Sequence, residues 1–530
     1  MILASNSKRR QEILKDAGFN FKIITSDIEE ISDKKIITEK ILDIAEEKLE
    51  QIAKDNKNEF ILAADTVVEL NGKITLGKNA KSSIGAWVGD TEQKLDAGKL
   101  NGKDETDRRL KRSGDITAKE NSIIEVGGEN NFGFVVNNSA HSSEFEKSKS
   151  DKVSFTKDEY EMYQRYIAGK STAVDKAHAS YKEITKIDNL IYKTDKVNHG
   201  RGINKGKITV TGSSSVGFAM VKGGNSENTD KGIISVGNTA KKSIAFYGEQ
   251  DKFTNKGKIE ATANTDSGNE NTAVYLNGKN DNKIHFINEG DISLKEKTAG
   301  SGAKDNVAIY AQGKYHFEHN KGAINVAASG VGLYLKGDKG GIADIASTIK
   351  LKDNTSSSTT IGVYSDGDAK VNFKHGSKLE IGKGGIGLYS ANAAKFNNTF
   401  TIENKLKTIL GENSTLAYLK GDNTKTTNVG DFLNKIDLET DMGKNSNLVY
   451  ATDGAKAILD KDTTITQGGV ESTAVLSANN GSTVEVAKDK ELKTNTHTAL
   501  LANKATASNE GDINSTREKG IGIYAVNSKE

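Results

Sequence analysis

A chain of 530 residues exceeds what one ordinary globular core organises. Its 53 glycines come with no proline and no cysteine, which excludes disulfide frameworks and thiolate chemistry and suits long ladders that a missing N–H would break. The 74 basic and 72 acidic residues are dispersed, with no basic stripe interleaved with aromatics, so no nucleic-acid partner is expected, and no apolar run reaches the ~18 residues of a membrane-spanning helix.

In chain order, the first 80 residues read as an α/β layer. Ile2-Leu3-Ala4 predicts a short buried strand, followed by a polar loop and a helix near Arg10 to Ala17. Phe21 to Ile24 reads as a second strand. A helix from about Thr38 to Lys54 carries Ile41, Ile44, Ala45, Leu49 and Ile52 on one face. Phe60 to Ala63 is an apolar strand that runs into Ala64-Asp65-Thr66, with Val67-Val68 extended.

Five motifs stand in order here: Ser5-Asn6-Ser7-Lys8-Arg9-Arg10, Ser26-Asp27-Ile28-Glu29-Glu30, Ala45-Glu46-Glu47-Lys48, Ala64-Asp65-Thr66-Val67-Val68 and Leu76-Gly77-Lys78. Their order and spacing resemble the N-terminal half of the Maf family of nucleoside triphosphate pyrophosphatases. The resemblance implies that Asp65 is the general base that activates water for attack on the α-phosphate of a nucleoside triphosphate. It implies that Arg9, Lys48 and Lys78 clamp the triphosphate, that Ser7 and Thr66 contact substrate, and that Glu29 assists with Mg²⁺. Elementary chemistry agrees, because such hydrolysis needs cations on spread phosphate charge and a carboxylate to orient water. The sequence departs from the family at Lys8, where the family has Pro, and at Asn79, where the pattern stops. One extra residue stands near Thr75. Of the family's second half only Asp175-Lys176-Ala177-His178-Ala179-Ser180-Tyr181 offers an echo, read here as chance.

From Lys81 a repeat grammar starts, with Ile84-Gly85-Ala86-Trp87 and then Phe132-Gly133-Phe134-Val135, giving first coils over 81–139. Residues 140–197 interrupt it with charged, helix-capable stretches at Asp158 to Ile167 and Ala173 to Ile187, a partly helical insertion. From 198 to 530 a two-part phrase recurs. Its opening half, a polar turn running into a strand, is Asn255-Lys256-Gly257-Lys258-Ile259, repeated as Asn288-Glu289-Gly290-Asp291-Ile292 and elsewhere. Its closing half is a strand with a small residue before an aromatic or Leu, as in Val331-Gly332-Leu333-Tyr334 and Ile386-Gly387-Leu388-Tyr389. Copies about 23 to 35 residues apart fall in the period range of solenoids and arrays.

One such unit cannot bury its apolar face alone, but stacked coils can. The four strands per blade of a propeller and the Leu frame of a leucine-rich horseshoe are not visible, so the expectation is a mainly β chain: a right-handed parallel β-solenoid (β-helix) after a small, incomplete α/β segment. Lys295 to Asp305, polar and carrying Gly300 and Gly302, reads as an inserted loop. The Asn-Lys-Gly-Lys-Ile phrases and (Ile/Val)-Gly-(Leu/Val)-Tyr strands resemble passenger segments of bacterial type V autotransporters, especially the large adhesin-like proteins of fusobacteria. That resemblance implies a surface-displayed stalk or adhesin with a host or bacterial surface ligand and no cofactor.

Two functional expectations follow. The first is a solenoid passenger fused to an incomplete Maf-like head; the second is an active pyrophosphatase that cleaves non-canonical or pyrimidine nucleotides to monophosphate and pyrophosphate. The Maf resemblance implies the cytoplasm and the passenger resemblance the cell surface. Met1-Ile2-Leu3-Ala4 lacks the build of a signal peptide, and Ser528-Lys529-Glu530 stops just after a closing phrase, as a truncated fragment would. Within the array, His285, His316 and His319 lie nearest one another among eight dispersed histidines, with spacing that predicts no tetrahedral metal set. Asp366-Gly367-Asp368 is a loop of Ca²⁺-binding chemistry without the full calcium nonapeptide.

Overall fold

The computed structural model describes residues 1–5, 10–11, 14–15, 18–26, 37–57, 59–63, 68–70, 72–89, 116–137, 142–146, 152–153 and 191–196. It also describes 162, 172 and 176, and 201–527 apart from 223–224, 280–282, 338, 355–357, 393–394, 422–424 and 470. Contacts divide the chain into two units: Met1–Glu69 with Gly114–Ile116, and Leu70–Ser113 with Thr117–Glu530.

The larger unit is a parallel β-solenoid. Among the described residues a fourteen-stranded sheet continues to Ile521–Val526, beside sheets of eleven and ten strands that end at Ile436–Leu438 and Phe400–Ile402. Neighbours within each sheet lie three strands apart in the chain, once the interrupting strands Ser142–Glu146, Lys152–Val153 and Ile191–Lys196 and the short helices are set aside, so each coil contributes one strand to each sheet. The fourteen-stranded sheet takes the closing phrase, for example Val331–Lys336 paired in register with Thr360–Asp366. The eleven-stranded sheet takes the opening phrase after its Gly, as where Lys258–Thr262 pairs with Asp291–Lys295. Sequence reading found these two strands per coil and missed the third. The ten-stranded sheet holds strands such as Asp251–Asn255 and Ile284–Asn288, which end on the Asn read as the start of a turn. After Thr426 and Thr463 shorter sheets of four and three strands follow in chain order.

That Asn is not turn chemistry but core. Asn204, Asn228, Asn255 and Asn288 are fully buried, and each of the first three side-chain amides donates to the carbonyl oxygen of the next at 2.7 to 2.8 Å. Stacked amides satisfy one another as in other in-register parallel ladders. Beside them runs an aromatic stack of Phe134, Phe218, Phe246, Phe253, Phe286 and Phe317, all fully buried. Centroids are 4.8 Å apart for Phe134 and Phe218 and 4.1 Å for Phe246 and Phe253.

On the outer face of the fourteen-stranded sheet, half-buried Tyr247, Tyr275, Tyr310, Tyr334, Tyr364, Tyr389, Tyr418 and Tyr450 stand in register on successive rungs. Their ring centroids are 4.7 to 5.5 Å apart. The balanced charge of the sequence resolves into ion pairs between coils: Lys256 with Glu227 at 3.0 Å, Lys295 with Glu260 at 2.7 Å and Lys350 with Glu380 at 3.0 Å. Each is partly exposed, a class of pair that contributes little singly.

Residues 296–305, within the stretch read as an inserted loop, carry no strand. In the interrupting region Ser142–Glu146, Lys152–Val153 and Ile191–Lys196 form a separate antiparallel sheet. The helical readings at Asp158 to Ile167 and Ala173 to Ile187 fall outside the described residues except for single positions.

The N-terminal unit is a small α/β layer. Ile2–Leu3 is the middle strand of a parallel three-stranded sheet, between Lys22–Ile23 and Ile61–Leu62. A helix over Ile37–Ala53 contributes Ile52 to a core with Ile2 and Ala4, against which Ile24, Ile61 and Ala63 pack. Its buried line is Ile44, Lys48 and Ile52, at i, i+4 and i+8, while Leu49 is 38% exposed. The expected apolar face is therefore rotated, because hydropathy alone cannot put a lysine at its centre.

Candidate functional site

Parallel α/β sheets place ligands beyond the carboxyl ends of their strands. Here the three strands lie side by side, joined by Ala4 N–H to Leu62 O at 2.8 Å and Ile24 N–H to Leu3 O at 3.2 Å. In sequence, Ser5 to Arg10 follows the first strand, Ser26 to Glu29 the second, and Asp65-Thr66 the third. The three strands run parallel, so their carboxyl ends lie at one edge of the small sheet.

Two described residues of the first motif are in contact. Ser5 is buried, and Arg10 Nη1 donates to its Oγ at 2.8 Å. This contact was not singled out from sequence, although both residues belong to the first motif. Lys48 is only 6% exposed, on the inner line of its helix. A buried ammonium is stable only with charged or polar compensation.

Ser7, Arg9, Glu29, Asp65 and Thr66 lie outside the described residues. Lys78 is exposed in the turn after the strand Lys73–Leu76, a turn closed by Ala80 N–H on Gly77 O at 2.9 Å. That strand pairs with Ile123–Val126 as the first rung of the eleven-stranded sheet, so Lys78 belongs to the solenoid unit and Lys48 to the other. Thr75, near the extra residue, is exposed on this rung and donates to Glu125 at 3.3 Å.

In the array, Asp368 Oδ1 accepts from Lys395 Nζ at 2.6 Å, so its carboxylate already has a cation. His319 is fully buried at the end of the asparagine ladder. His285 and His316 meet on the outer face of the ten-stranded sheet with Glu318 beside them. Spacing along the chain gave no sign of this, because register between coils makes these neighbours.

Residues 1–117 match the family profile described as Maf-like protein. A dTTP/UTP pyrophosphatase of Fusobacterium nucleatum subsp. nucleatum is 86% identical over 78 residues, covering 15% of this chain and 40% of that protein. One from Caldanaerobacter subterraneus subsp. tengcongensis is 42% identical over 79 residues, covering 15% and 38%. One from Bacillus cereus is 34% identical over 112 residues, covering 20% and 58%. No solved structure matches the chain. The chain thus joins a Maf-like N-terminal segment, which spans about two fifths of the length of the first two of these relatives, to a long parallel β-solenoid.

Proposed function

We propose that the body of the chain is a surface-displayed solenoid passenger of adhesin type, and that its Maf-like head is an incomplete form of the pyrophosphatase fold. The observation that carries this reading is the pairing of the closing-phrase sheet through fourteen strands. Stacking spends the apolar residues of each coil on its neighbours and turns rows of Tyr, Lys and Glu outward. A long, regular, polar surface is suited to contact with a host or bacterial surface ligand. The test is labelling of intact producing cells with antibody to the solenoid. Labelling without permeabilisation, removed by external protease, is expected; labelling only after permeabilisation overturns the reading.

A second reading is favoured by the 86% identity over 78 residues with a dTTP/UTP pyrophosphatase. In it Asp65 takes the proton from water, which attacks the α-phosphate while pyrophosphate leaves. Arg9 and Lys48 hold the triphosphate, Ser7 and Thr66 contact it, and dTTP or UTP is the substrate. The carboxylate of Glu29 is a hard oxygen donor of the kind Mg²⁺ takes, and the ion would supply charge neutralisation on the phosphates. Pyrophosphate release separates the two readings.

A further inference from the structure

In-register parallel stacking makes residues a full coil apart in sequence neighbours at one strand spacing, about 4.8 Å. On the outer face of the ten-stranded sheet His285 pairs with His316, and their rings stack with centroids 4.8 Å apart and planes 6° from parallel. Glu318 stands two residues beyond His316 and so projects from the same face. Its Oε1 lies 2.6 Å from His285 Nε2 and 3.7 Å from His316 Nε2. The three ligand atoms fall within 4.8 Å of one another. On the next rung Asp344 pairs in register with Glu318, and its Oδ2 is 2.8 Å from His316 Nε2.

We propose that His285, His316 and Glu318 form a binding site for a borderline divalent transition metal ion of the zinc class, with Asp344 as the adjacent carboxylate that completes or orients it. Two imidazole nitrogens and a carboxylate oxygen are the donor set such ions take, whereas Ca²⁺ and Mg²⁺ prefer oxygen alone. Donors about 2 Å from a zinc ion stand roughly 3 to 3.5 Å apart in tetrahedral geometry. The 2.6 and 3.7 Å separations from Glu318 bracket that range.

The surroundings tune the same atoms. Burial lowers His285 below the usual imidazole range despite the opposing hydrogen bond with Glu318, which favours the neutral ligand. Ligation at Nε2 then leaves the ring proton on Nδ1. Burial raises the Glu318 carboxyl, but hydrogen bonds from His285 and Asn320 outweigh it and keep it below the usual range, as an anion. Asp344 is likewise held low: hydrogen bonds from Asn372 and His316 and the nearby Lys374 overcome its burial. The column closes at Lys252 before His285 and at Ile342 after His316, so two imidazoles are all this column offers. Lys252 and Lys374 are the cations the ion would face.

The test uses the full chain without affinity-tag histidines, titrated with Zn²⁺ by calorimetry and with Co²⁺ by visible absorbance at about pH 7.5. One ion per chain at this site is expected, with affinity reduced about 10- to 100-fold by Asp344→Asn and at least as much by His285→Gln, His316→Gln or Glu318→Gln. His375→Gln and His497→Gln leave it unchanged. Metal-free melting of each variant checks its fold, and Glu318→Gln keeps the test open if an imidazole replacement weakens its coil. Equal uptake by wild type and a folded Glu318→Gln or His285→Gln/His316→Gln protein overturns the proposal, as does equal loss in His375→Gln.

Discussion

His319 Nδ1 accepts a hydrogen bond from Asn288 Nδ2 at 3.0 Å, and His319 Nε2 donates to Thr348 O at 3.0 Å. An imidazole therefore ends the asparagine ladder, and it can do so only when neutral, since one nitrogen accepts and the other donates. Burial holds it down at about 4, against the Thr348 carbonyl and Asp291, which favour the charged form.

The sign of the pH dependence follows from that depression. An unfolded imidazole titrates near 6.5, so below that pH the unfolded chain binds the proton first. The contribution of His319 is fully present above about 6.5 and is lost as pH falls through about 4. It amounts to roughly 3 kcal/mol. Urea unfolding of wild type and His319→Asn across this window is expected to show a steeper acid loss in wild type; parallel curves would contradict it.

Tyr334 and Tyr389, within the tyrosine column, titrate in the opposite sense. Burial first, and then neighbouring phenols and carboxylates, push Tyr334 and Tyr389 up to about 12. Their folded values lie above the unfolded one, so their contribution is present below about pH 10 and declines as pH rises toward 12. Phenolate absorbance should show a late-ionising set of tyrosines. Tyr364 stacks at 4.7 Å on Tyr334 and 4.8 Å on Tyr389. Loss of both stacks in Tyr364→Ala should cost about 1–3 kcal/mol by denaturant unfolding.

Much of this was legible in the sequence, for a physical reason. The closing phrase repeats because each copy must fit the copy beside it, so the recurrence of Tyr334, Tyr364 and Tyr389 at one place in the phrase already announces a column. The third strand was not legible. Ser226–Asn228 and Asp251–Asn255 have the composition of turns, and only stacking converts Asn228 and Asn255 from turn formers into core. The meeting of His285, His316 and Glu318 depends on the length of a coil, which local spacing does not reveal. Lys48 was picked out by motif, but its burial was hidden by its polarity.

The small residue in the closing phrase has a steric cause. The pairing of Ile361 with Ile386 and Val363 with Leu388 skips Gly362, and a Cβ there would stand 2.6 Å from Gly387 O. Gly332 faces Gly362 O in the same way, at 2.5 Å. Gly362→Val is expected to destabilise the solenoid by about 1–3 kcal/mol, because the obstacle is backbone and cannot swing aside. An unchanged denaturation midpoint would contradict this.

The most direct measurement is pyrophosphate release from dTTP and UTP with Mg²⁺, comparing the full chain with Asp65→Asn. A passenger with an incomplete head predicts no release from wild type above the Asp65→Asn background. Turnover by wild type that Asp65→Asn abolishes would contradict the account and make the N-terminal segment a working pyrophosphatase.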